Sequence, residues 1–107
     1  MKKKYRLQKS WEFDEIIKQK KQLVNKYLVL YYKSSSDFKI GITIPKKFCN
    51  AYYRNFYKRQ LKHIVHELNV YHLKFNMVLI LRKEFLNEKF IIKADAIKKL
   101  FNKLSNK

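Results

Sequence analysis

Residues 45–67 read PKKFCNAYYRNFYKRQLKHIVHE. Pro45 cannot donate to a strand ladder, so it ends whatever strand precedes it. Asn50 is a side-chain acceptor of the kind that caps helix N-termini, and a helix over about residues 50–69 is expected from it. Tyr53, Tyr57, Leu61, Ile64 and Leu68 recur at helical spacing and are expected to face a core. Arg54, Lys58 and Lys62 recur every four residues. Each such step turns roughly 40° about the axis, so the three cations share a flank. Asn55 lies on the same side, Arg59 sits further round, and Lys46 and Lys47 extend the basic patch ahead of the helix. Arg presents a planar fork and Lys a compact charge to phosphate. Asn can both donate to and accept from a 2′-OH or a base edge.

Outward from this helix the elements alternate in kind. Upstream, Tyr27–Lys33 (YLVLYYK) and Phe38–Ile44 (FKIGITI) are rich in aromatic and β-branched residues. The polar Ser34–Asp37 between them predicts an antiparallel hairpin. Period-2 alternation sets Tyr27, Val29 and Tyr31 on one face, with Leu28, Leu30 and Tyr32 on the other. Further upstream, a helix over about residues 10–20 carries Phe13, Ile16 and Ile17 as an apolar stripe, with Ser10 as candidate N-cap. Glu12, Asp14 and Glu15 lie in its first turns, where the helix dipole accounts for them without a metal or acid–base role. Downstream, Asn76–Leu81 (NMVLIL) is a strand apolar on both faces. A last helix over about 88–104 carries Phe90, Ala94, Ile97, Phe101 and Leu104 on its stripe. The sum is an α+β sandwich in one domain spanning residues 1–107.

Charge sets the partner class. Of 107 residues, 26 are Lys or Arg and 8 are Asp or Glu, a formal charge of +18. Self-repulsion of that size opposes compaction unless a polyanion neutralises it, which favours nucleic acid as the partner over an anionic membrane surface or ribosomal packing without a separate activity. A codon bias toward Lys, Asn, Ile, Tyr and Phe would raise Lys, but it does not account for so few acids. The single Cys49 excludes an internal disulfide and reads as a helix-entry residue. His63 and His66 share a helix face without an evident third ligand, and His72 stands apart; all three read as surface residues. No apolar run approaches the roughly 20 residues of a membrane span. The basic N-terminus lacks an apolar signal core, which predicts a cytoplasmic protein. Trp11 either staples the first helix or stacks on RNA.

Taken together, Arg6-Leu7, the helix carrying Phe13, Gly41-Ile42, Lys46-Lys47, Asn50-Ala51, Arg54-Asn55 and Lys58-Arg59 resemble the protein subunit of bacterial ribonuclease P over nearly the whole chain. Phe56 stands where the family's Arg-Asn-Arg triplet has its second Arg, Tyr52 where Val is frequent and Cys49 where Gly is. The resemblance implies a roughly four-stranded sheet with three helices in the order α-β-β-β-α-β-α. It also implies a short extra strand near residues 22–25 and a left-handed βαβ crossover. It implies pairing with a catalytic RNA that removes the 5′ leader of precursor tRNA using its own Mg²⁺ ions. The protein then carries no catalytic residue, no metal and no cofactor, and takes no small-molecule substrate or membrane partner. By position, Arg6, Lys46, Lys47, Arg54, Asn55, Lys58, Arg59 and Lys62 would meet RNA, while Phe13, Ile17 and Tyr31 would line a leader cleft. Read without the resemblance, Phe13 and Tyr31 are as readily core. A ribosomal or general RNA-binding protein is the rival reading, and a protein-only nuclease is disfavoured by the scarcity of clustered acids.

Overall fold

The computed structural model describes residues 2–106. Its long elements are α1 (Ser10–Lys18), β1 (Gln22–Val24), β2 (Leu28–Ser34), β3 (Lys39–Thr43), α2 (Ala51–Leu68), β4 (Phe75–Leu81) and α4 (Phe90–Ser105). The short α3 (Lys83–Leu86) precedes α4. One four-stranded sheet runs in the order β1-β2-β4-β3. The expected α+β sandwich is present, and so is the extra strand, β1.

The expected hairpin is not. β2 and β3 are separated by β4, which pairs antiparallel with β2 and parallel with β3. The apolar character of β4 explains the displacement: Met77, Val78, Leu79 and Leu81 are buried, and only a central slot covers both faces. The polar 34–38 segment therefore crosses the base of β4, where the Ser35 N–H bonds the Lys74 carbonyl. The true hairpin is β1–β2, with Gln22 opposite Tyr31. Its turn is held by Asn25, whose Oδ1 accepts from the N–H groups of Tyr27 and Leu28.

Register sorts the side chains onto two faces. Tyr31, Val78 and Gly41 form one row across β2, β4 and β3. That face packs under α1, in a small core of Leu7, Ile16 and Val78 flanked by Phe13, Tyr31 and Ile80. The opposite face carries the main core, with Leu28, Leu30, Met77, Leu79 and Leu81 against Leu61, Ile64 and Val65 of α2 and Ile97, Leu100, Phe101 and Leu104 of α4.

Helix limits differ in detail. The N-cap of α1 is Lys9 rather than Ser10, and Glu12 reaches back to accept from the Lys9 N–H at 3.1 Å. Lys20 at φ 57° ends α1 before the anticipated residue. Asn50 caps α2 as expected, accepting from the Tyr53 N–H at 3.1 Å, and Asn69 ends it in the left-handed conformation that Asn tolerates. Three stripe residues are exposed, against expectation: Tyr53 and Phe90, each in the first turn of its helix, and Ile17 in the last turn of α1.

Lys93 of α4 is buried, at 4% exposure. Its Nζ donates to Gln60 Oε1 at 3.0 Å and lies 4.9 Å from the ring centroids of both Tyr57 and Phe85. Burial pulls its pKa below the usual 10.5, with Glu88 opposing. A lysine with a lowered folded-state pKa binds fewer protons folded than unfolded, so the contribution of Lys93 to stability should rise with pH just below 10.5. Lys93→Met should abolish that rise and stay within about 1 kcal/mol of the parent near neutrality. Lys93→Ala should lose about 1–3 kcal/mol through the vacated stem. Urea unfolding at several pH values measures both.

Candidate nucleic-acid interface

The flank predicted on α2 divides into separate places. Lys58 and Lys62 turn toward the β3 edge of the sheet. There, with Arg6, Leu7, Phe13, Ile40, Gly41 and Ile42, they line a cavity of about 220 Å³. Arg6 is placed by strand-like pairing: it bridges Ile40 in parallel, and the next N–H, of Leu7, bonds the Ile40 carbonyl at 3.1 Å. Arg54 instead folds back on the helix entry, its Nη1 donating to the Cys49 carbonyl at 3.4 Å. It thus stays beside the 3₁₀ turn Lys46–Phe48 that carries the exposed Lys46 and Lys47. Asn55 and Arg59 are exposed on the outer side of α2.

The cleft is cationic and unneutralised. Ion pairs among the described residues are Lys33–Glu15 and Lys99–Asp95, so Arg6, Lys58 and Lys62 have no carboxylate partner. The pKa of Lys62 is lowered, first by burial and then by the charges of Arg6 and Lys58. Three cations thus repel one another across a hollow whose floor includes an aromatic ring, and an anion entering it relieves that repulsion.

Gly41 makes the floor possible. It is the only glycine, and a Cβ there would collide with the Phe13 ring and approach Leu7 Cδ1 to 3.1 Å. Its role is close approach, since its φ is not positive. Gly41→Ala should displace Phe13 and cost about 1–3 kcal/mol by overpacking. The same change in a Phe13→Ala background should cost much less, a coupling that a double-mutant cycle of unfolding free energies reads directly.

Of the three positions assigned to the cleft, Phe13 lines the cavity. Tyr31 sits in the small core under α1, next to it but outside the lining, and Ile17 is 36% exposed on α1. Sequence reasoning passed over a second hollow of about 370 Å³, lined by Lys3, Lys4, Lys9, Lys39, Trp11 and the shared Arg6. The MKKK run was the available signal for it. Trp11 is 59% exposed there, pointing to a contact surface rather than a staple. Among the described residues no group of three or more His, Cys, Asp or Glu side chains gathers where a metal ion could sit. His66 Nδ1 is 3.2 Å from the Tyr71 hydroxyl, and His63 faces Phe90 with ring centroids 6.3 Å apart. No helix among the described residues is long and apolar enough to cross a membrane.

A small basic α+β domain with an electropositive, aromatic-floored cleft between one helix flank and a sheet edge is the class these features define. The family model described as Ribonuclease P matches residues 1–105, and the chain belongs to that family. It is 54% identical to the ribonuclease P protein component of Mycoplasmopsis synoviae over 101 residues, covering 94% of this chain and 90% of that one. The solved RNase P protein of Thermotoga maritima is 28% identical, with a TM-score of 0.78 over 89% of this chain and 94% of that one. The Staphylococcus aureus RNase P protein shares the fold at 24% identity, with a TM-score of 0.83 over 92% of this chain and 93% of that one.

Proposed function

We propose that the chain is the RNA-binding, non-catalytic subunit of a cytoplasmic ribonuclease P, pairing with a catalytic RNA and holding the 5′ leader of precursor tRNA while that RNA cuts it off. The observation that carries this reading is the convergence of Arg6, Lys58 and Lys62 on Phe13 in one unneutralised cleft. Cations track a phosphate backbone, and an aromatic face accepts any base by stacking. Leaders differ in sequence from one precursor to the next, so tolerant stacking beside charge suits them better than base-specific hydrogen bonds. Mg²⁺ is assigned to the RNA. Four of the eight acids of this chain are engaged elsewhere: Glu12 at the α1 N-terminus, Glu15 with Lys33, Glu88 with the Tyr27 hydroxyl and Asp95 with Lys99.

Reconstitution tests the reading. The protein alone should leave precursor tRNA intact. Added to the host's catalytic RNA at limiting Mg²⁺, it should accelerate leader release by offsetting phosphate repulsion. Metal-dependent cleavage by RNA-free protein would overturn the assignment. Equal binding of unrelated RNAs with no stimulation would favour the general RNA-binding rival.

A further inference from the structure

The outward crest of α2, on the far side of the helix from Lys58 and Lys62, is aromatic. Tyr52, Tyr53 and Phe56 are 65%, 52% and 43% exposed. Spacings of three and four residues make them neighbours on the helix surface. Two turns of helix further on, His63 faces Phe90 of α4, itself 47% exposed. Large exposed aromatics grouped in this way on a small domain mark a contact surface. Arg59 is exposed further along the same crest, and Arg54 stands at the helix entry. A net charge of +18 opposes docking of a second copy and favours a polyanion.

We propose that Tyr52 and Phe56 stack on unpaired bases of the RNA that α2 docks against, so that this helix grips its partner by π-faces as well as by phosphate contacts. The inference rests on the ribonuclease P reading and adds a salt-insensitive component to it. Phosphate contacts release counterions and weaken steeply with salt, whereas stacking does not. The two are therefore separable by titration.

The test is the affinity of the full chain for the host's catalytic RNA, measured from low to moderate salt. Tyr52→Ala and Phe56→Ala should each weaken binding about 5- to 150-fold, the equivalent of roughly 1–3 kcal/mol per stacked base, with an unchanged salt slope. Tyr52→Trp should retain the parent affinity, while Tyr52→Leu should not. Phe56→Arg should steepen the slope by about one unit, exchanging a base contact for a phosphate contact. Both positions are exposed, and circular dichroism confirms the fold of each variant. Parent affinity in both Ala variants would overturn the stacking proposal while leaving RNA binding intact. A parent protein that fails to bind the RNA at all would overturn the ribonuclease P reading itself. Concentration-dependent self-association of the parent, lost in Phe56→Ala, would assign the crest to protein contact and overturn the proposal.

Discussion

Lys58→Ala combined with Lys62→Ala is expected to weaken binding of RNA by roughly 10²–10⁴-fold, because each cation supplies a charge-assisted contact of about 1.5–3 kcal/mol. The salt dependence should flatten by about 0.7–0.9 per lost phosphate contact, the smaller value applying if the contacts are to a single strand. Folding should not suffer. Both lysines stand near Arg6 without an acidic partner, and the pKa of Lys62 is lowered by burial and, next, by the charges of Arg6 and Lys58. Removing two of three like charges relieves that strain, so the thermal midpoint should hold or rise. Arg54→Ala should behave differently. Its guanidinium also bonds the Cys49 carbonyl, so its loss should weaken binding and loosen the entry to α2 together. Unchanged affinity and slope in the double variant would mean that this flank does not face RNA.

The lysines were legible because a four-residue repeat survives as a line on any helix. Their division of labour was not. Helical spacing places Arg54, Lys58 and Lys62 on one flank, but what they face depends on β3 and on the N-terminal segment, which are remote in sequence. The sheet order shows the same limit. Ser34–Asp37 is polar and short, which is the local signature of a hairpin, yet the apolar β4 competes for the central slot and wins it through burial that no local signal measures. Tyr53 and Phe90 follow the stripe and are nevertheless exposed, because periodicity gives direction around a helix and not how far the neighbouring layer extends along it. In the sequence, Gly41 signifies only through the family resemblance. Its physical duty, to let the Phe13 ring descend onto β3, appears only once α1 lies over β2 and β4.

That duty bears on the leader. Phe13→Ala should reduce affinity for precursor tRNA about 5- to 150-fold and leave mature tRNA almost unaffected, since only the precursor carries a strand to stack there, at roughly 1–3 kcal/mol per base. Its folding cost should stay below the roughly 3–5 kcal/mol of a fully buried aromatic, because the ring is half-buried over Gly41 and one side faces the cavity. Tyr31→Ala should show the opposite balance. Tyr31 packs beside Val78 in the core under α1 and does not line the cavity, so its truncation should cost more stability for less selective loss. Ile17→Phe should strengthen precursor binding, since it adds an aromatic face at an exposed position of α1 one turn beyond Phe13. The decisive comparison sets precursor against mature tRNA for each variant, beside its thermal midpoint. Equal losses on both tRNAs for Phe13→Ala would reduce the ring to a core residue and move the leader out of this cleft.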